Sequence, residues 1–155
     1  MIVQGKYPIA ASTQDVWNQL MDPEVLERIT PGISNLSQIS DDTYKAISNI
    51  KIGPVNGTFE GQLEIKDKVE NTTATIVLDQ KSKIGNVSAE IKLQLNSGEK
   101  TTEIDYRGEA KLTGKLAMMG QRIIGGVINS LSKQFFKSLS NEIENLNIKP
   151  NTYAS

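Results

Sequence analysis

One long segment with helical periodicity, placed after a succession of segments with the two-residue period of strands, leaves this chain few folds to adopt. From Thr113 to Leu146, stepping about 100° per residue places Leu116, Met119, Ile123, Ile124, Val127, Leu131, Phe135 and Leu139 on one drifting stripe. A helix of roughly 30 residues is about 45 Å long, enough to cross the concave face of a strongly bent sheet. The expectation is an unbroken helix gripped by that sheet. Gly120 lies within the stripe, and a helical glycine costs roughly 1 kcal/mol relative to alanine. Either it admits a closely approaching strand or it leaves room for a ligand; Gly125 and Gly126 either bend the helix or serve the same space.

Alternation is clearest from Thr101 to Thr113, where Ile104, Tyr106, Gly108, Ala110 and Leu112 share one face and Glu103, Asp105, Arg107, Glu109 and Lys111 the other. The same period recurs in Thr58 to Lys66, with Phe59, Gly61, Leu63 and Ile65 on one side, and in Val87, Ala89, Ile91, Leu93 and Leu95. Thr72 to Leu78, Asp42 to Ile52 and Ile2 to Ile9 are further strand candidates, separated by turns rich in Gly, Asn and Asp. Two short helices are expected after the first strand. Ser12 caps one, with Asp15 three residues on, and Asp22 caps the other, with Pro23 at the first helical position; Thr30-Pro31-Gly32 stops the second. The fold class is therefore α+β: an antiparallel sheet of six to seven strands wrapped around a long C-terminal helix, in one domain over residues 1–146, with a short tail over 147–155 that Pro150 keeps from continuing the helix.

Inward positions of the strands include Gly5, Ala46, Ser48, Gly61, Ala74, Ala89, Gly108 and Ala110, small residues that would underfill a packed core. The sheet bends sharply there, or it encloses a pocket, or both. The candidate lining is Phe59, Gly61, Leu63, Ile76, Ile91, Leu93, Tyr106, Gly108, Gly120, Ile123, Ile124 and Val127, with Trp17, Leu26, Ile29, Pro31 and Gly32 at the entrance. Such a lining is apolar with one phenolic hydroxyl and suits an apolar ligand carrying one polar group.

Catalysis is limited by what the chain lacks. It has no histidine and no cysteine, hence no imidazole base, no thiolate and none of the usual nitrogen or sulfur ligands for zinc, iron or copper. Glu60, Glu64, Glu90, Glu103, Asp105 and Glu109 alternate onto the polar face, so no carboxylate pair is expected inside, and no catalytic residue, metal or cofactor is assigned. A phosphate loop is excluded because Leu116 stands where Gly114-Lys115 would need a following Ser or Thr. The 17 basic and 18 acidic residues nearly cancel without a run of like charges, which argues against nucleic acid. The most apolar window, Leu116 to Leu131, carries Gln121, Arg122 and Asn129, so no membrane span is expected. The polar, strand-like start carries no secretory leader, and a cytoplasmic location is expected.

Three segments resemble the carbon monoxide dehydrogenase G-subunit family, a branch of the START-like (SRPBCC) superfamily: DPEVLERITPG from Asp22 to Gly32, KIGPVNGTFEGQLEIKD from Lys51 to Asp67, and GKLAMMGQRIIGGVINSLSKQFF from Gly114 to Phe136. The resemblance implies a helix-grip fold. It also implies a non-catalytic accessory role beside molybdenum-containing carbon monoxide dehydrogenases and related hydroxylases, with recruitment to the membrane and a cavity for a hydrophobic, lipid-like molecule. A quinone is a candidate ligand, since a dehydrogenase at a membrane needs a lipid-soluble electron acceptor. Many relatives continue into an apolar C-terminal anchor, whereas these residues end at Ser155, so membrane contact is expected to be peripheral, at the inner face. Relatives often carry cysteine near the turn at Ile29-Thr30-Pro31-Gly32, and no thiol role transfers here. The competing readings are a polyketide-cyclase-like enzyme of the same fold and a protein adaptor docking through exposed Met118 and Phe136.

Overall fold

In the computed structural model, which describes residues 1–154 with side chains to Leu146, alternating segments pair into one antiparallel sheet. The expected tail over 147–155 lies outside the fully described residues. β1 (Ile2–Ile9) is followed by α1 (Thr13–Leu20) and α2 (Pro23–Ile29), then by β2 (Ile33–Ser40), β3 (Thr43–Ile52), β4 (Val55–Val69), β5 (Thr73–Lys81), β6 (Val87–Ser97) and β7 (Thr102–Leu112), and finally by α3 (Gly114–Met118) and α4 (Gln121–Ala154). Strand order is β1-β7-β6-β5-β4-β3-β2: a meander from β2 to β7, closed at the far edge by β1 pairing with β7. Both short helices start as expected. The Ser12 hydroxyl accepts from the Asp15 amide at 3.1 Å and an Asp22 carboxylate oxygen from the Glu24 amide at 3.0 Å, each cap contributing about 1 kcal/mol.

The edge strand β2 has no place among the strands expected from alternation. Its residues Ser34, Ser37, Gln38, Ile39 and Ser40 are exposed, and its pairing with β3 shifts register twice, between Ile33 and Asn35 and between Gln38 and Ser40. An irregular edge carries no two-residue signal because neither of its faces is consistently buried.

The C-terminal helix corrects a second expectation. It is broken after Met118, where the Met119 amide donates to Leu116 and Lys115 and Gly120 adopts φ +84°, ending α3 in the left-handed conformation that glycine takes without steric penalty. The Ile124 amide then donates to the Gly120 carbonyl, and α4 begins in a new phase. Ile124, Val127 and Leu131 turn toward the sheet, while Ile123 is 44% exposed.

Three core clusters lie on the concave face, two at its opposite ends and a small third one, Val3, Ala89 and Ala110, on β1, β6 and β7. Of the two at the ends, the larger joins α1, α2 and the C-terminal half of α4 (Phe136, Leu139, Ile143) to Tyr44, Ile65, Ala74, Leu95 and Ile104 of the sheet. The smaller joins Leu116 of α3 and Ile124 and Val127 of α4 to Val55 and Phe59 of β4. Phe136, expected at an exposed docking face, is 6% exposed: it continues the stripe of Leu139 and Ile143 and stacks between strands and helix. Among the described residues no helix is long and apolar enough to cross a membrane.

Candidate functional site

Between the two end clusters, the middle of the concave face is incompletely covered. Leu63 of β4, Ile76 and Leu78 of β5, Ile91 and Leu93 of β6 and Tyr106 of β7 face the same side as the buried ends of their strands, yet each is only half-buried. They are contiguous, since Leu63 pairs with Leu78, Ile76 with Ile91, and Leu93 with Tyr106. A side chain at the centre of a seven-stranded sheet, facing inward, meets solvent only through a gap beneath the covering helix. Ile128, Leu131 and Phe135 of α4, also half-buried, face the gap from the other side. We call this incompletely covered apolar strip between sheet and helix the hollow; Leu78, Ile91, Tyr106 and Ile128 within it also pack on the small cluster of Val3, Ala89 and Ala110.

Aromatic rings close its β1 side. Phe136 stacks on Tyr7 with ring centroids 5.2 Å apart, lies 5.3 Å from Tyr106, and meets Phe135 edge-on at 5.2 Å. Gly5 makes this possible: a Cβ added there would sit 2.7 Å from the Tyr106 Cζ, so the phenol occupies the place of the missing side chain. The Tyr106 hydroxyl lies over Gly5 of the paired strand β1.

Sequence reasoning missed one polar group on this face. Gln80 follows Leu78 in the alternation of β5, lies opposite Gly61 of β4, and is 9% exposed, its Nε2 donating to the Gln62 carbonyl at 3.3 Å. The expected strand stopped at Leu78, three residues before the observed end at Lys81. No carboxylate or lysine is buried here: among the described residues the buried polar side chains are Thr75, Gln80 and Thr102, and Thr102 is spent on the Ala11 carbonyl at 2.8 Å. Carboxylates lie outside, where Glu60 pairs with Lys45 at 3.1 Å and Glu90 with Lys66 at 3.4 Å. No group of residues able to hold a metal ion occurs among those described. Among the described residues the arrangement brings no acid and base together inside.

The remaining expected site residues divide sharply. Phe59, Ile124 and Val127 belong to the smaller core cluster. Gly61 and Gly108 share the inner face but leave no space, because a Cβ at either would collide with a backbone carbonyl of the neighbouring strand, Asp79 or Glu90. Gly120 and Ile123 lie on the surface, displaced from the hollow by the helix break. Trp17, Leu26 and Ile29, expected at an entrance, are buried in the larger cluster; Pro31 is half-exposed, and Gly32 turns at φ +74° against the Asn49 carbonyl.

Two surface grooves accompany the hollow. One, about 650 Å³, lies between α1, α2 and the end of α4, lined by Gln19, Asp22, Val25, Arg28, Glu142, Asn145 and Leu146. Across it the Arg28 guanidinium, through Nε at 3.0 Å and through Nη2, donates to Glu142, which raises the Arg28 pKa further above its ordinary value. The other, about 300 Å³, lies at the α3–α4 joint beside Gly120 and Lys111.

A sheet folded over one long helix recurs in known structures. A conserved protein from Geobacillus kaustophilus is similar over 94% of this chain and 96% of its own, at 30% identity and a TM-score of 0.91. A START superfamily protein from Mycobacterium smegmatis (15% identity, TM-score 0.73, 94% and 98% covered) and the Zhui aromatase/cyclase from Streptomyces sp. R1128 (10% identity, TM-score 0.70, 93% and 93% covered) share the fold. Comparison with curated proteins gives no match. Residues 5–144, from the first inward glycine to the last turns of α4 that reach the core, match the profile of the carbon monoxide dehydrogenase G-subunit (CoxG) family, and to that family the chain belongs.

Proposed function

We propose that this chain is a non-catalytic accessory protein that holds a hydrophobic, lipid-like molecule between sheet and helix, beside a molybdenum-containing carbon monoxide dehydrogenase-type enzyme that it helps recruit to the inner face of the membrane. One observation carries the binding claim: six contiguous inner-face side chains at the centre of the sheet are half-buried while Phe59, Ile65, Ala74, Ala89, Leu95, Ile104 and Ala110 on the same strands are buried. An apolar guest there would remove that surface from water at about 25 cal/mol per Å². On this reading the Tyr106 hydroxyl and the Gln80 side chain would meet the polar end of such a guest, which fits a molecule with one or two oxygens on an apolar body, a quinone among them. Family membership supports the partner.

The test is to purify the chain from its native host, extract it with organic solvent and identify what is released by mass spectrometry. Ile91→Trp should place an indole in the hollow and abolish retention of that molecule, or of a quinone analogue, while circular dichroism stays unchanged. A parent chain that carries no apolar molecule and binds no analogue overturns the reading. The second reading, a cyclase like the aromatase/cyclase that shares this fold, needs an acid or base inside; Tyr106 is the candidate, and turnover abolished by Tyr106→Phe would establish an enzyme.

A further inference from the structure

Cations that are balanced over the whole chain are not balanced along it. Between Ala110 and Asn141 stand Lys111, Lys115, Arg122, Lys133 and Lys137, and not one of the 18 acidic residues. All five are exposed, and none forms an ion pair among the described residues. Because they are spaced singly, no run betrays them in the sequence. Arg122, Lys133 and Lys137 recur on the outward side of α4, facing away from the sheet.

At the N-terminal end of this basic stripe, the break at Gly120 makes a corner. Met118 is 85% exposed and Ile123 is 44% exposed, and a Cβ added at Gly120 or Gly126 would meet nothing within 4 Å, so both side chains stand beside open space, outside the groove that runs from Gly120 to Met1 and Lys111. These two exposed apolar side chains are flanked in sequence by Lys115 and Arg122, both exposed, and neither lines the groove at the joint. A deformable surface accepts them better than a rigid one does: the side chains enter the boundary between headgroups and acyl chains, and the cations stay among the headgroup phosphates.

We propose that the α3–α4 corner and the outer face of α4 dock on an anionic lipid bilayer, with Met118 and Ile123 inserted and Lys115, Arg122, Lys133 and Lys137 lying on the headgroups. The proposal deepens the reading above by naming the surface through which membrane contact is made. It does not depend on what the hollow contains.

Flotation of the full chain with vesicles tests it, using phosphatidylcholine alone and phosphatidylcholine mixed with phosphatidylglycerol. Binding is expected only to the mixed vesicles and should weaken as salt is raised. Met118→Ser with Ile123→Ser, and separately Lys115→Glu with Arg122→Glu, should each lower partitioning by at least about tenfold. The control, Lys81→Glu with Lys92→Glu on the outer face of the sheet, makes the same change in net charge and should leave binding intact. Equal binding to both vesicle types, no binding to either, or equal loss in the control overturns the proposal. Retention on heparin without vesicle binding overturns it in favour of an acidic protein or nucleic acid. Ligand retention, measured on the same variants, should be unchanged, so a failure of the docking surface is separable from a failure of the binding hollow.

Discussion

Adding a single methyl group at Gly108 separates two explanations of the inner-face glycines. If glycine at this position leaves space for a ligand, alanine should be tolerated or should stabilise; if it lets β6 approach, alanine must push the strands apart. The local geometry supports the second, since an added Cβ would collide with the Glu90 carbonyl oxygen and lie 2.7 Å from the Ile91 Cα and 2.9 Å from its Cγ1. Two of the three obstacles are backbone and cannot swing away. Overpacking of this kind costs about 1–3 kcal/mol, which for a urea m-value of about 2 kcal/mol/M moves the unfolding midpoint down by roughly 0.5–1.5 M. Gly126→Ala is the matched comparison: nothing lies within 4 Å of its added Cβ, and removing a helical glycine should raise stability by about 0.5–1 kcal/mol. Both can be followed by the fluorescence of Trp17, the chain's one tryptophan, which is 8% exposed within the larger cluster. If Gly108→Ala were as stable as the parent, the close-approach argument would fail and space would have to exist behind that strand.

Three further outcomes are expected. Gly120→Leu should cost about 1–2 kcal/mol from its positive φ while leaving retention of a bound apolar molecule unchanged, because the site lies outside the hollow; lost retention would contradict this. Burial, with a smaller contribution from Asp42, pushes the Tyr44 phenol above its ordinary pKa; the neutral form is favoured in the folded state, so stability is fully present below about pH 10 and declines as pH rises through the folded value. Tyr44→Phe should flatten that alkaline decline in thermal melts, and an unchanged pH profile would refute the assignment. Arg28→Ala should lower stability by less than about 1 kcal/mol, and by less again at high salt, because the Arg28 side chain is 54% exposed; a larger, salt-independent loss would mean that the α2–α4 bridge is more shielded than its exposure indicates.

Alternation placed Leu63, Ile76, Ile91, Leu93 and Tyr106 on one face correctly, because the period of two follows directly from strand geometry. What that face meets was not legible. Gly61 and Gly108 read as missing bulk, but whether a glycine leaves a void or admits a carbonyl depends on how tightly the sheet coils, a property of the assembled strands. The break at Gly120 was hidden for a related reason. Helical period continues through Met119 to Ile124 on paper, whereas the left-handed φ at Gly120 ends α3 and Ile123 lies exposed on α4. Capping residues Ser12 and Asp22, whose hydrogen bonds are local, were readable without any tertiary knowledge.

The two clusters at the ends of the concave face differ in size, and the difference sets how the molecule opens. Sixteen buried residues hold the C-terminal half of α4 to α1, α2 and the sheet, whereas five hold its first turns together with α3. Local unfolding follows the cheapest set of contacts, so the α3 end should release first, with Gly120, Gly125 and Gly126 offering the backbone freedom for it. Hydrogen exchange would register this as fast-exchanging amides from Gly114 to Val127 beside slow ones around Leu139. Such an excursion lifts one end of the helix from the sheet while the other stays anchored. A bulky apolar guest could then pass in or out without global unfolding.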